Sequence, residues 1–210
     1  LAKFINTYEF VLGKLKVSIP VFILILLPMG LIVLQRETGS ALVYLSFFLM
    51  LYREGMPGSI LFAGISAVIY FVVGIRFGQD LLPDGSTPVG EFAVFTLVTV
   101  LSAALIYAYS ENKRAVWNIL LYYGGSILLA LLFSIFVIPF NLIYFLYVEC
   151  FGLVVYLLYL SLHERVMTYF YISLFAIGSI GFLYSADYVF SEVLQPHQRS
   201  RIEVLLGMEE

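Results

Sequence analysis

A short polar segment, Gln35–Ser40, interrupts a largely apolar sequence and carries the residue types best suited to chemistry. The run before it, Val17–Leu34, and the run after it, Ala41–Tyr52, contain no charged residue. In a membrane protein, a polar segment of this size between two apolar runs predicts a turn at the bilayer surface.

The residues of this turn favour the binding of an anion. We expect Thr38–Ser40 to turn the chain and to cap a helix that begins at Ala41. The first N–H groups of such a helix lack intrahelical partners and lie at the positive end of its dipole. Arg36 adds a positive charge beside them, and Glu37 adds a carboxylate. This combination predicts a site for a lipid-linked phosphate, although a plain capped turn has the same composition.

A second group of basic residues follows the last apolar run. His197, Arg199 and Arg201 bring positive charge and hydrogen-bond donors to the segment Val193–Ile202. Arg can bind a phosphate through two parallel N–H groups, which Lys cannot do. The segment is therefore a candidate for binding an anionic lipid-linked substrate. Anchoring of the chain at the membrane surface by ordinary basic residues explains it equally well.

The composition predicts an all-α, polytopic transmembrane helical protein. Hydrophobic residues make up 62% of the 210 residues and charged residues 12%, and the mean hydropathy of +1.00 excludes an ordinary soluble domain. The formal charge of −3 and the scattered basic residues give no support for nucleic-acid binding. Cys150 is the single cysteine, which excludes an internal disulfide and a multi-cysteine metal site. We predict no cofactor, and the need for a divalent cation stays open.

Seven largely apolar runs predict one membrane domain over residues 1–210, with about seven spans. Most runs have the roughly 20 apolar residues that about 30 Å of hydrocarbon requires. The second has only twelve residues and would rise about 18 Å, which predicts a short span or a half-helix directed at a charged ligand. The runs are Val17–Leu34, Ala41–Tyr52, Pro57–Ile75, Phe92–Tyr109, Ala115–Pro139, Leu142–Leu162 and Val166–Ser185.

The distribution of Lys and Arg predicts an orientation. If the spans alternate, seven of these residues fall on one side and four on the other, which favours the first side as cytoplasmic. Gln35–Ser40, the turn-like loop Phe77–Val89 and the tail Gln195–Glu210 then lie together on the outer face.

One acidic residue, Glu149, lies inside the predicted span Leu142–Leu162. An ionised carboxyl at that depth is costly and is by default a sign of function. Hydrogen bonds to its neighbours Tyr144, Tyr147 and Cys150, or protonation of the carboxyl, would instead give it a structural role.

Two motifs resemble those of the SEDS family, which includes RodA and FtsW. Leu34-Gln-Arg-Glu-Thr-Gly-Ser-Ala-Leu42 is similar to the family motif L-Q-P-D-L-G-T-A-L. Gln195-Pro-His-Gln-Arg-Ser-Arg-Ile202 is similar to the motif Y-Q-R-x-R-I. Together with Arg53-Glu-Gly-Met-Pro57, they resemble most closely the RodA branch of Bacteroidetes-type bacteria. The resemblance covers the whole chain, and the specific motifs occupy a small part of it.

The resemblance implies a peptidoglycan glycosyltransferase of cell elongation. Such an enzyme polymerises lipid II at the outer face of the bacterial plasma membrane, with a class B penicillin-binding protein and other membrane proteins of the elongation machinery. Glu37 is then a supporting acidic residue that orients a neighbouring cation or the helix. The residues implied in substrate binding are Arg36, Ser40, His197, Gln198, Arg199 and Arg201.

The chain departs from the family pattern in several places. Glu37 stands where most members have Asp, and Arg36 stands where they have Pro. Residues 92–162 exceed the common plan and are predicted to be lineage-specific extra spans. We expect the essential acidic residue of the family, in a D-x-x-G-x-G-Y stretch, beyond Glu210 and an S-E-F-A-K stretch before Leu1. The sequence is therefore predicted to be an internal fragment that is inactive alone.

Two other classes of protein are compatible with the same residues. A transporter or flippase of a lipid-linked precursor also needs a polar pocket and a broken helix, and Glu149 would suit it as a coupling residue. A non-catalytic scaffold of the elongation machinery would instead use the lipid-facing surfaces of its spans for binding partners.

Overall fold

The computed structural model describes residues 15–34, 38–83, 85–136 and 141–208, and most of these residues are helical. The described part contains no β-strand beyond a single bridge between Leu81 and Pro88. In chain order the helices are α1 (Leu15–Leu34), α2 (Thr38–Arg53), α3 (Gly58–Arg76), α4 (Val89–Ser110), α5 (Lys113–Phe136), α6 (Leu142–Glu164), α7 (Met167–Tyr188), a π-helical turn (Val189–Val193) and α8 (Pro196–Leu205).

The predicted all-α transmembrane architecture is confirmed. Each of the seven predicted runs contains one helix, and the observed ends differ from the predicted ends by at most three residues. Within the described ranges, five helices, α3 to α7, are long and apolar enough to cross a bilayer. The chain is therefore a multi-pass membrane protein.

The second helix is short, as predicted, but it begins earlier than predicted. α2 has 16 residues and a length of about 24 Å at 1.5 Å per residue. The expectation that Thr38–Ser40 form a turn and cap a helix opening at Ala41 is wrong, because all three residues belong to the first helical turn. Small polar residues are tolerated there because the first N–H groups of a helix have no intrahelical partner in any case. Gln35, Arg36 and Glu37 lie outside the described residues.

The contacts divide the chain into two compact units, residues 1–65 and residues 66–210. In the first unit α1 and α2 pack against each other. α2 ends in a Schellman motif, in which the N–H of Met56 donates to the carbonyl of Leu51 and the N–H of Gly55 donates to that of Tyr52. Gly55 has a φ of 99°, the left-handed region that this motif requires.

The second unit is organised around α4, which packs against α5, α6 and α7. α6 also packs against both α5 and α7. Two clusters of buried side chains fill the space between these helices. Val98 and Ile106 of α4 and Leu157 of α6 are fully enclosed. Large apolar side chains on the outer helix faces are exposed, as expected where lipid rather than water surrounds the protein.

The loop between α3 and α4 is a turn, as the sequence predicts. The N–H of Leu82 donates to the carbonyl of Thr87, and the N–H of Val89 donates to that of Asp80. A β-carbon on Gly90 would lie 2.5 Å from the carbonyl oxygen of Gly74, so only glycine permits this close approach of α3 and α4.

A buried hydroxyl ties this loop to the start of α6. Thr87 is fully buried, and its Oγ1 accepts a hydrogen bond of 2.9 Å from the N–H of Leu142. Asn141 caps the same helix, because its Oδ1 accepts from the N–H of Ile143 at 2.9 Å. The Thr87 hydroxyl also lies 3.4 Å from that Oδ1. The contact fixes the start of α6, and with it the depth at which Glu149 lies.

We expect Thr87→Val to lower the free energy of unfolding by about 1–3 kcal/mol, because it leaves the buried N–H of Leu142 without an acceptor. Unfolding in mixed micelles with increasing dodecyl sulfate, followed by circular dichroism, measures the loss. Ser173→Ala is the control, since the buried Ser173 hydroxyl donates to the carbonyl of Phe170 in its own helix. Equal losses for the two variants would contradict a tie between loop and helix.

Candidate functional site

Two of the predicted site residues have described side chains, and both lie on α8. The chain leaves the π-helical turn through the extended residue Leu194, and α8 begins at Pro196, a favoured first residue of a helix. His197 is exposed, whereas Arg199 is half-buried and its Nε has no hydrogen-bond partner among the described residues. Residues two positions apart on a helix do not share a face, so α8 does not bring these two side chains together.

The side chains of the other five predicted site residues lie outside the described part of the chain. Arg36 and Glu37 lie outside the described residues. The backbones of Ser40, Gln198 and Arg201 are helical, and their side chains lie outside the described part. Position 201 follows His197 by one helical turn and therefore shares its face of α8.

A cavity in the second unit lies between α4, α5 and α6, and no residue of α8 is among its described lining residues. Its volume is about 350 Å³, within the range of small-molecule sites in proteins. It is lined by Thr99, Asn118, Ile119, Tyr122, Tyr123, Glu149, Gly152, Leu153 and Tyr156.

Glu149 lines this cavity, and the residue as a whole is 7% exposed. Glu149 is the eighth residue of α6 and lies about 10 Å along the helix from Leu142. This position is well inside the membrane-spanning segment. The hydroxyl of Ser126, on α5, lies beside the carboxyl. An ionisable group this deep in a bilayer requires a hydrogen bond, a proton or a positive charge.

The predicted hydrogen-bond partners of Glu149 on α6 are wrong in two cases. Tyr144 is 71% exposed on the outside of the helix. The hydroxyl of Tyr147 pairs with that of Tyr184, at 2.6 Å. Tyr147 lies two residues from Glu149 and therefore points to a different face of α6. The partner comes from the neighbouring helix instead.

Other polar groups around the cavity are satisfied mainly within helices. The hydroxyls of Thr96 and Tyr123 form a bond of 3.0 Å that joins α4 to α5. Thr96 also donates to the carbonyl of Phe92, and Ser126 donates to that of Tyr123. Because the Ser126 hydroxyl donates its proton to the carbonyl of Tyr123, its oxygen is available beside the Glu149 carboxyl only as an acceptor. The carboxyl of Glu149 is the strongest acceptor in the described lining of the cavity.

The sequence contains a signal for this site. Asn118, Tyr122 and Ser126 follow one another at intervals of four residues on α5, and Glu149 and Tyr156 are seven residues apart on α6. Such spacing places polar residues along one face of an otherwise apolar helix. The polar stripe on α5 was missed because each residue taken alone is unremarkable in a transmembrane span.

A smaller acidic cluster lies at the start of α4. The hydroxyl of Tyr184 donates to Glu91 Oε2 at 3.3 Å and forms a second hydrogen bond, of 2.6 Å, with the hydroxyl of Tyr147. Glu91 and Asp187 line a narrow crevice of about 70 Å³ beside these residues. In the described part, no three His, Cys, Asp or Glu side chains meet as metal ligands would.

Comparison with protein-family models, with curated proteins and with solved structures found no match for this chain. The fold and the cavity therefore rest on the geometry of the chain itself, and the SEDS family remains a resemblance carried by the motifs.

The Tyr123–Thr96 bond can be tested by a double-mutant cycle. We expect Tyr123→Phe and Thr96→Val to show a coupling energy of about 0.5–1 kcal/mol in the free energy of unfolding, because each removes the same bond between α4 and α5. Tyr122→Phe serves as the control, since Tyr122 is 68% exposed, and its combination with Thr96→Val should be additive. Additive effects of both pairs would show that the bond between the helices is absent.

Proposed function

We propose that the protein to which this chain belongs is a peptidoglycan glycosyltransferase of the RodA type in the SEDS family, acting on lipid II during cell elongation. The observation that carries the proposal is the resemblance of Leu34–Leu42 and Gln195–Ile202 to two SEDS motifs. The multi-pass helical architecture is what an enzyme with a membrane-anchored substrate requires and supports the proposal. The partners that the proposal implies are a class B penicillin-binding protein and the membrane proteins of the elongation machinery.

The proposed reaction is an inverting glycosyl transfer. A carboxylate removes the proton from the 4-hydroxyl of one lipid-linked disaccharide, and the oxygen attacks the anomeric carbon of a second lipid II molecule. The bond from that carbon to the pyrophosphate oxygen breaks, and undecaprenyl pyrophosphate leaves with the electron pair. The family resemblance assigns the base to the D-x-x-G-x-G-Y stretch that follows the Gln195–Ile202 motif.

Arg199 is suited to stabilise negative charge on the departing pyrophosphate. Its guanidinium carries donors in a planar fork that matches phosphate oxygens, and its enclosed Nε has no partner among the described residues. His197 and Arg201 share another face of α8, where they would contact a different part of the substrate.

The start of α2 is suited to bind an anion through its backbone. The structure describes α2 from Thr38 onward, so the N–H groups proposed to bind the anion are those of Thr38–Ser40 rather than those following Ala41. Arg36 would add charge at this end, and Glu37 would orient that cation. The excess of Lys and Arg on the opposite side favours an outer-face location for both motifs.

We expect Glu37→Ala in the full-length protein to lower lipid II polymerisation at least about tenfold, because a misdirected cation no longer meets the developing charge. Gel separation of glycan strands made by protein reconstituted with its penicillin-binding partner measures the product. Asp80→Ala, in the exposed loop of the same predicted face, is the control and should leave the product unchanged. Normal product from Glu37→Ala would remove Glu37 from the site.

We expect Arg199→Lys to lower the rate of polymerisation about tenfold, since Lys keeps the charge but cannot hold a phosphate through two parallel bonds. Initial rates at saturating lipid II measure the effect. Arg76→Lys is the matched control, because the Arg76 guanidinium lies over the ring of Phe77, and Lys can make the same kind of contact. An equal rate for Arg199→Lys and wild type would assign Arg199 to simple membrane anchoring.

Full-length protein reconstituted into lipid vesicles distinguishes the two alternative functions, a transporter and a scaffold. A transporter moves labelled lipid II between leaflets without forming polymer, and Glu149→Gln should stop that movement. A scaffold neither moves lipid II nor forms polymer. Substitutions on its lipid-facing surfaces should release its partners, whereas substitutions in its polar motifs should not.

A further inference from the structure

The cavity between α4, α5 and α6 has no role in the proposed glycosyl transfer. It follows α6 from Glu149 to Tyr156, a distance of about 10 Å along the helix axis. Asn118, Tyr122 and Gly152 are exposed, so the cavity opens on the outer surface of these helices. At this depth of a membrane-spanning segment, that surface faces lipid.

The described lining of the cavity contains an acidic residue but no basic residue. Among the described residues of its lining, Glu149 is the only one of a charged type, and none is Lys or Arg. A carboxylate in such surroundings is stabilised strongly by a cation that enters with its own apolar body, because the ion pair removes the uncompensated charge.

The rest of the lining fits an organic cation. Tyr122, Tyr123 and Tyr156 line the same cavity as Glu149, and aromatic rings attract ammonium groups through their electron-rich faces. The side chains of Ile119 and Leu153 supply apolar wall for a hydrocarbon portion. A metal ion would instead require several carboxylate or imidazole ligands, and this lining offers one carboxylate.

We propose that this cavity binds the ammonium group of an amphiphilic amine, which enters from the bilayer and pairs with Glu149. The proposal concerns a ligand of the membrane and is independent of the glycosyltransferase activity, so each can fail without the other.

The test is photolabelling of the full-length protein in phosphatidylglycerol nanodiscs with dodecylammonium that carries a diazirine on its chain. Mass spectrometry of peptides should find the label on residues of α5 and α6 that line the cavity. Glu149→Gln, which is nearly isosteric, should reduce this labelling at least about tenfold. Glu91→Gln is the matched control, since it removes a carboxyl from α4 outside the cavity, and it should label as wild type does.

A second pair of variants tests whether the ligand needs the volume of the cavity, independently of the charge of Glu149. A β-carbon on Gly152 or on Gly124 meets no atom within 4 Å, so both positions accept a side chain without disturbing the packing. Gly152 lines the cavity and Gly124 does not. Gly152→Leu should therefore abolish the labelling with Glu149 intact, whereas Gly124→Leu should retain it.

An uncharged dodecanol with the same diazirine gives the result that would overturn the proposal. Equal labelling by the alcohol and the amine, unchanged by Glu149→Gln, would show that the cavity accepts any apolar chain. Absence of label from the lining residues of folded wild-type protein would also overturn it. Replacing phosphatidylglycerol by phosphatidylethanolamine identifies the source: competition indicates an aminophospholipid, and unchanged labelling indicates a single-chain amine.

Discussion

The hydrocarbon interior of a bilayer contains no water, so each polar group within it has to find its partner inside the protein. The hydroxyls of Thr99 and Ser179 meet this constraint by donating to carbonyls one turn earlier in their own helices. Glu149 cannot meet it in that way, because a helix offers no free donor to a side chain in its middle. Its carboxyl lies instead beside the hydroxyl of Ser126 on α5.

Packing around α4 allows such an arrangement. Small and β-branched residues on α4 let three other helices approach it, and the buried clusters at its two ends hold those helices together. Between the clusters the side chains do not fill the space, and the cavity lies there. The cavity of about 350 Å³ is not closed off, because Asn118, Tyr122 and Gly152 in its lining are exposed, so it can be filled from outside the helices.

The fold could be predicted from the sequence to a large extent. Runs of about 20 apolar residues leave the backbone no alternative to helix inside a membrane, so the spans were found to within a few residues. The start of α2 was misplaced because Thr38–Ser40 suit a cap and a first helical turn almost equally well. The sequence does not predict which helices pack together, since apolar residues occupy most positions of every span and the few polar ones do not identify a partner helix.

The residues of the candidate sites could also be predicted from the sequence only in part. The motif residues were recognisable in the sequence, and the assignment of Arg199 to substrate binding stays a prediction. Glu149 was recognisable because a charge in an apolar run stands out, whereas its surroundings come from α4 and α5. Thr99 and Ser126 lie 50 and 23 residues before it in the chain, and only tertiary packing brings them to the carboxyl.

The most direct test of this account is a cryo-electron microscopy map of the full-length protein in lipid nanodiscs. The account predicts that Glu149 faces a gap between α4, α5 and α6, with non-protein density within hydrogen-bonding distance of its carboxyl. A map in which the three helices close the gap, or in which Glu149 points from α6 into the surrounding lipid, would contradict it.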